Sequence, residues 1–251
     1  MPVDPSFINP AVVDAVVFDI GGVFTVRHHE VIGGALRAAG FSAPQGPDAY
    51  HRAHHLAVRA MSDLLTDRAR IDEYEKDLWL SWERGYLRGL DVTDEQLEDA
   101  LDAVLRVVTK LEVREVWRQL LSENIAAFHR IAAAGVPVAI VSNNDGTAEV
   151  EMTRFGICQV GPGPFTQVAA IVDSTVVGHA KPDPAIFEPA LAALGTSPAR
   201  TVYVGDTVHA DVHGARAAGM IPVQLDPYDL HADFDHARLH GVAELADLLL
   251  R

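Results

Sequence analysis

Several short stretches of this sequence place chemically capable side chains directly after apolar runs. In Val16-Val17-Phe18-Asp19-Ile20-Gly21-Gly22-Val23 a carboxylate ends a β-branched run and glycines follow it. Glycines let backbone approach a ligand closely or take conformations closed to other residues. Asp19 is therefore a candidate catalytic or metal-binding carboxylate; the plainer reading is a cap on the next turn. Val136–Val141 ends in Ser142-Asn143-Asn144, a hydroxyl and fresh N–H groups suited to an oxyanion or a phosphate, or simply to capping a helix. In Lys181-Pro182-Asp183-Pro184 the prolines stiffen the loop from which Lys181 projects. A lysine so held can neutralise a carboxylate or phosphate as a point charge, where a lone lysine otherwise reads as solvated surface. Gly205-Asp206-Thr207-Val208-His209-Ala210-Asp211 carries two carboxylates five residues apart. Such a pair suits a hard cation such as Mg²⁺, which prefers oxygen ligands; its bland counterpart is a helix cap plus a surface acid.

The elements that must position these residues are legible from the apolar runs. Ala15–Phe18, Val136–Val141, Thr201–Val204 and Ile221–Leu225 are nearly all apolar, the signature of strands buried on both faces of a parallel sheet. Helices fit between the later runs, over Ser122–Ala134, Pro184–Leu194 and Asp211–Ala218, with Gly135, Gly195 and Gly219 as stops. Ala243–Leu250 reads as a closing helix. Alternation of this kind predicts a doubly wound α/β fold, in which ligands bind at the carboxyl ends of the strands.

The stretch from about Arg27 to Lys110 lacks strand runs. Thr93 and Gln96 have capping-box spacing, and Leu97, Leu101, Val104, Leu105, Val108 and Leu111 recur at helical intervals behind them. The region reads as an all-helical insertion. The predicted domains are an α/β core over 1–26 and 116–251 and a helical domain over 27–115. Trp79, Trp82 and Tyr86 read as the core of that helical domain.

The chain has 251 residues, 49% of them hydrophobic and 22% charged, with a net charge of −15 and a single cysteine, Cys158. That charge disfavours nucleic acid and anionic membranes as partners, while a bound cation and one lysine can still attract an anionic substrate locally. One cysteine permits no internal disulfide, which suits a reducing, cytoplasmic setting. The opening MPVDPSFINP has neither a basic start nor an apolar run, so no signal peptide is expected, and no apolar stretch reaches the ~18 residues of a membrane span.

Taken in order, the four stretches resemble the motifs of haloacid dehalogenase superfamily hydrolases. Those motifs are a strand ending in a nucleophilic Asp, a strand ending in Ser or Thr, a lysine often written KPDP, and a strand ending in GD with a further Asp beyond. The resemblance covers residues 14–25 and 120–226 and points to subfamily I, with residues 27–115 in the place of a C1-type helical cap. It implies Asp19 as nucleophile and metal ligand, Ser142 and the Asn143 backbone as phosphate binders, and Lys181 as the neutralising cation. It also implies Mg²⁺ held by Asp19, the Gly21 carbonyl and Asp206, with Asp211 supporting the metal or positioning Lys181. The implied activity is phosphatase action on small phosphorylated metabolites through an aspartyl-phosphate, by a monomer or homodimer.

One position departs from the pattern. The second Asp of most phosphatases in the family, two residues past the nucleophile, is here Gly21. General acid–base help is worth roughly 10²–10⁴ in rate. Three readings stay open: a phosphatase whose leaving group needs little protonation or whose acid lies elsewhere; a 2-haloacid dehalogenase, whose halide needs no proton but whose relatives lack the GD…D pair; and a binding or regulatory module with little turnover. His28, His29, His51, His54 and His55 are possible substitute acids but read more simply as polar faces. His209 and His213 have the spacing of a helical zinc pair but no third ligand.

Overall fold

The computed structural model describes residues 8–66 and 75–251. Residues 1–7, the start of the stretch read for a signal peptide, and residues 67–74 of the helical region lie outside them. The strands are β1 (Ala15–Phe18), β2 (Thr25–Val26), β3 (Gln119–Leu120), β4 (Val138–Ser142), β5 (Cys158–Val160), β6 (Thr166–Val168), β7 (Ile171–Asp173), β8 (Thr201–Gly205), β9 (Ile221–Leu225) and β10 (Ala237–Leu239). Six of them form one sheet in the order β10-β9-β8-β1-β4-β7, and every neighbouring pair is parallel. This is the expected α/β architecture. β1 lies at the centre, between β4 and β8, and the chain builds outward from it first one way and then the other. The carboxyl end of β1 is therefore the switch point at which such sheets open a crevice.

The apolar runs became strands because both faces of the sheet are covered. Val17, Ala139, Val141 and Tyr203 pack with Ile186 and Phe187 in one cluster. Phe18 meets Phe24 at 5.7 Å and Phe128 at 5.4 Å between ring centroids. The run at Val136 enters the sheet only at Val138, after Pro137, which has no N–H to give a ladder. The expected helix over Pro184–Leu194 is broken into a 3₁₀ turn, Pro184–Phe187, and a helix, Glu188–Leu194. Pro189 has no N–H to donate across that junction, so the α-helical bonding cannot run through it. The expected helix over Asp211–Ala218 opens instead with a wide π turn, Val208–Val212, before the α-helix His213–Ala217.

The chain divides into two compact units, residues 1–24 with 121–251, and residues 25–120. The second unit holds helices His29–Ala38, Asp48–Thr66, Glu75–Gly89, Leu97–Val108 and Val113–Val116, and the short antiparallel pair of β2 with β3. Thr93 and Gln96 do not form the expected capping box. The helix starts only at Leu97, and the Thr93 N–H reaches Gln96 Oε1 at a long 3.5 Å. Trp82 and Tyr86 are buried as expected, stacked at 5.0 Å, whereas Trp79 is 49% exposed. Arg27 lies under Trp82, 4.4 Å from the ring centroid, and its guanidinium meets Glu83 through two bonds of 2.7 and 2.6 Å. No helix among the described residues is long and apolar enough to cross a membrane.

Candidate active site

Asp19 is the first residue beyond β1, and its N–H donates to the Val204 carbonyl on β8 at 2.8 Å. Phe18 pairs with Ile140, so Asp19 and Ser142 leave neighbouring strands within one residue of the same level. Asp206 follows β8, and Asp211 sits in the π turn behind it. The wide turn closes through the Val212 N–H and the Thr207 carbonyl, 3.2 Å apart, and swings Asp211 back toward the strand end. Asp19, Asp206 and Asp211 are all buried, and each offers an oxygen within 4.8 Å of the others. Among the described residues this is the one such group of metal-ligating side chains; His209 and His213 belong to none.

Lys181 is the cation of the cluster. Its Nζ stands 2.9 Å from Asp19 Oδ1, 2.7 Å from Asp211 Oδ1 and 2.8 Å from the Tyr203 hydroxyl. Burial alone would pull the ammonium pKa down, but Asp19 and Asp211 outweigh it and hold the group above its ordinary value. In Asp19 burial is the largest influence. Burial raises it against the pull of Lys181, and Asp211 and Asp206 add their repulsion, so it is pushed up to about 6. Asp211 is held below its ordinary value. Its burial is more than offset by Lys181 and by hydrogen bonds from Thr207.

Asp211 accepts from five donors. Lys181 Nζ and the Tyr203 hydroxyl (2.9 Å) meet Oδ1; the Asp206 N–H (3.2 Å), the Thr207 N–H (2.9 Å) and the Thr207 hydroxyl (2.6 Å) meet Oδ2. A carboxylate has about four acceptor sites, so this one is already saturated. Asp206 points its carboxylate toward Gly22. An added Cβ at Gly22 would lie 2.2 Å from both Cγ and Oδ2 of Asp206, and Gly22 has φ +67°. Gly22→Ala is therefore expected to displace Asp206 and to weaken divalent-cation binding by about tenfold or more, measured by calorimetric titration.

Asn143 has a role the sequence did not suggest. Its side chain is engaged: Oδ1 accepts from the Lys181 N–H at 2.7 Å, and Nδ2 donates to the Lys181 carbonyl at 3.0 Å. This reciprocal clamp fixes the backbone from which Lys181 reaches inward. Two further residues went unread in the sequence. Asp173, at the end of β7, accepts from the N–H groups of Gly146 (2.9 Å) and Ala148 (3.1 Å) and so shapes the loop after Ser142. Tyr203 looked like one more apolar strand residue, yet its hydroxyl joins Lys181 to Asp211. Gly21 lies in the loop between Asp19 and Gly22 and presents only backbone.

The histidines weighed as substitute acids have other work. His28 caps the helix His29–Ala38, and His29 Nδ1 is 3.0 Å from Gln119 Oε1. His54 packs edge-on against Trp82 and Trp117, each 5.7 Å away. Burial drives His51 down to about 4.

Residues 13–219 match the haloacid dehalogenase-like hydrolase family. The chain belongs to that family. Among curated relatives, the glyceraldehyde 3-phosphate phosphatase of Methanothermobacter thermautotrophicus is 38% identical over 113 residues, 45% of this chain and 47% of the relative. Matches of this kind span less than half of the curated relatives concerned. Among solved structures, a phosphatase from Thermococcus onnurineus superposes with a TM-score of 0.53 at 21% identity, over 94% of this chain and 97% of that one. A 2-haloacid dehalogenase from Pseudomonas syringae pv. Tomato superposes with a TM-score of 0.51 at 20% identity, over 95% and 99%. At these identities the two superpositions show the fold alone.

Proposed function

We propose that this chain is a Mg²⁺-dependent phosphatase of small phosphorylated metabolites, working through an aspartyl-phosphate on Asp19. The observation that carries this is the charge balance at the end of β1: three buried carboxylates converge there, and Lys181 forms ion pairs with two of them, Asp19 and Asp211. Unbalanced buried charge is costly unless a partner compensates it. An all-oxygen donor set of this kind fits a hard divalent cation. Asp19, Asp206 and the Gly21 carbonyl would hold it, with Asp211, already saturated, positioning Lys181 and the Asp206 backbone from behind. When bound, Mg²⁺ supplies charge neutralisation to an incoming phosphoryl group. The same charge excess disfavours the dehalogenase reading, since a carboxylate attacking a carbon–halogen bond has no need of a second and third acid beside it.

The chain's own residues account for the rest. The Asp19 carboxylate attacks phosphorus as the bond to the leaving oxygen breaks. Lys181, the Ser142 hydroxyl and the Asn143 backbone N–H would receive the phosphoryl oxygens, positioned before reaction and away from bulk water. Water then cleaves the acyl-phosphate and returns the carboxylate, replacing one hard step by two easier ones. Because Gly21 offers no proton, the favoured substrates have leaving groups that need little protonation, such as acyl or anomeric phosphates. The unit 25–120 takes the role of a C1-type cap and would carry substrate choice.

The test is phosphate release from a panel of phosphomonoesters and acyl phosphates, with Mg²⁺ and with chelator. Release is expected only with the metal, and fastest from good leaving groups. Gly21→Asp should raise hydrolysis of poor leaving groups by ~10-fold or more. Metal-independent halide release from 2-haloacids, or no turnover across the panel with Mg²⁺ bound, would overturn the reading.

A further inference from the structure

Gln224 is out of place by composition. It lies in β9, Ile-Pro-Val-Gln-Leu, opposite Gly205 of β8, and is 0% exposed. A buried primary amide is costly unless both of its ends are bonded. Here both are. Nε2 donates to the backbone carbonyl of Asp206 at 2.8 Å, and Oε1 lies 2.7 Å from Nε2 of the buried His236. A backbone carbonyl can only accept, so the amide nitrogen must face Asp206. The amide oxygen then faces His236, whose Nε2 must carry the proton.

The ladder between β8 and β9 ends at the Gly205–Gln224 pair, so Asp206 is the first residue without strand support. Its N–H is taken by Asp211 Oδ2 and its carbonyl by Gln224. Both peptide groups flanking Asp206 are thereby tied, which sets its φ and ψ and hence the direction of its carboxylate. The carboxylate occupies the space that a Cβ at Gly22 would fill, 2.2 Å from its Cγ and Oδ2.

We infer that Gln224 and His236 are positioning residues for Asp206, forming an imidazole-to-amide-to-carbonyl relay that aims this carboxylate into the cation site. The inference rests on the proposed reading of Asp206 as a metal-holding residue. Neither residue belongs to the acidic cluster of Asp19, Asp206 and Asp211. Partners one shell out from a metal ligand commonly change affinity by about 10- to 100-fold.

The experiment is a calorimetric Mg²⁺ titration of the full chain, with phosphatase assays alongside. Gln224→Met keeps the side-chain length and removes both polar ends. It is expected to raise the Mg²⁺ Kd about tenfold, with kcat at saturating Mg²⁺ within about threefold of wild type and an unchanged substrate KM. Gln224→Glu, which sets an acceptor against the Asp206 carbonyl, should do the same or more. His236→Phe should weaken Mg²⁺ binding, and His236→Gln, which restores an N–H donor, should recover most of it. A merely structural role would lower the melting temperature without moving the Mg²⁺ Kd. A wild-type Kd in Gln224→Met, or an Nδ1–H tautomer of His236 by ¹⁵N NMR, overturns the inference. Failure of the underlying metal reading has a separate signature: the wild type then binds no Mg²⁺ while His236 still shows the Nε2–H tautomer. That outcome removes the metal site, and the relay's role with it.

Discussion

Asp19→Asn is expected to reduce phosphate release by about 10³-fold or more while making the metal-free protein more stable at neutral pH. The substitution is nearly isosteric and removes the carboxylate proposed to attack phosphorus. Its effect on stability runs the other way because of where the carboxylate sits. Burial and the neighbouring Asp211 and Asp206 raise Asp19 from 3.8 to about 6, despite Lys181. A folded-state pKa above the unfolded value means that the folded protein binds the extra proton. Ionised Asp19 therefore costs stability, and the cost grows as pH rises from about 4 to about 6, then stays constant. Asparagine abolishes that cost, a gain of up to about 3 kcal/mol at pH 8 for a shift of this size. Urea denaturation of both proteins at pH 4.5 and pH 8, in the presence of chelator, reads the effect. The gain should appear at pH 8 and shrink at pH 4.5. Metal-dependent turnover surviving in Asp19→Asn would remove it as the nucleophile, and a loss of stability at pH 8 would contradict the charge balance described for the site.

Lys181→Met should damage activity and stability together. Methionine fills a similar volume but leaves Asp19 and Asp211 buried without their cation. It also takes the donor from the Tyr203 hydroxyl. Breaking a buried ion pair by removing one member typically costs about 3–5 kcal/mol. Phosphate release should fall by about 10²–10³-fold, because the site loses a preorganised positive charge where the phosphoryl oxygens would sit. The two effects can be separated. Adding Asp211→Asn to Lys181→Met removes one of the stranded charges and should return more than 1 kcal/mol of stability, with no return of activity. A melting temperature within about 2 °C of wild type for Lys181→Met would show that the carboxylates do not depend on it.

These expectations draw unequally on sequence and structure. The strands bearing Asp19, Ser142 and Asp206 were visible because both faces of the sheet are covered, so their runs are apolar without alternation. β7 and β10, of three residues each, are too short to leave a pattern. The wide turn at Val208–Val212 was hidden for another reason: its residues suit an ordinary helix start, and only the bonds drawn by Asp211 show why the chain winds more loosely there. Gln224 and Tyr203 sat inside apolar runs and read as core, since a sequence cannot show that a buried polar atom has found a partner from another strand.

The carboxylate of Asp19 and its lysine and acid partners were thus determined by sequence, as residue types at the ends of apolar runs. Local chain chemistry sets those positions: β-branched runs make strands, and Gly, Pro, Asp and Ser end them. Only the tertiary structure decided what each partner does. It spends Asp211 on five donors, clamps Lys181 with the Asn143 side chain, presses Gly22 against Asp206 and ties the Asp206 carbonyl to Gln224. Apart from the bonds that Asp206, Thr207 and Tyr203 give Asp211, these join residues far apart in the chain, and they depend on distances that strand order and register set and that residue order alone does not encode.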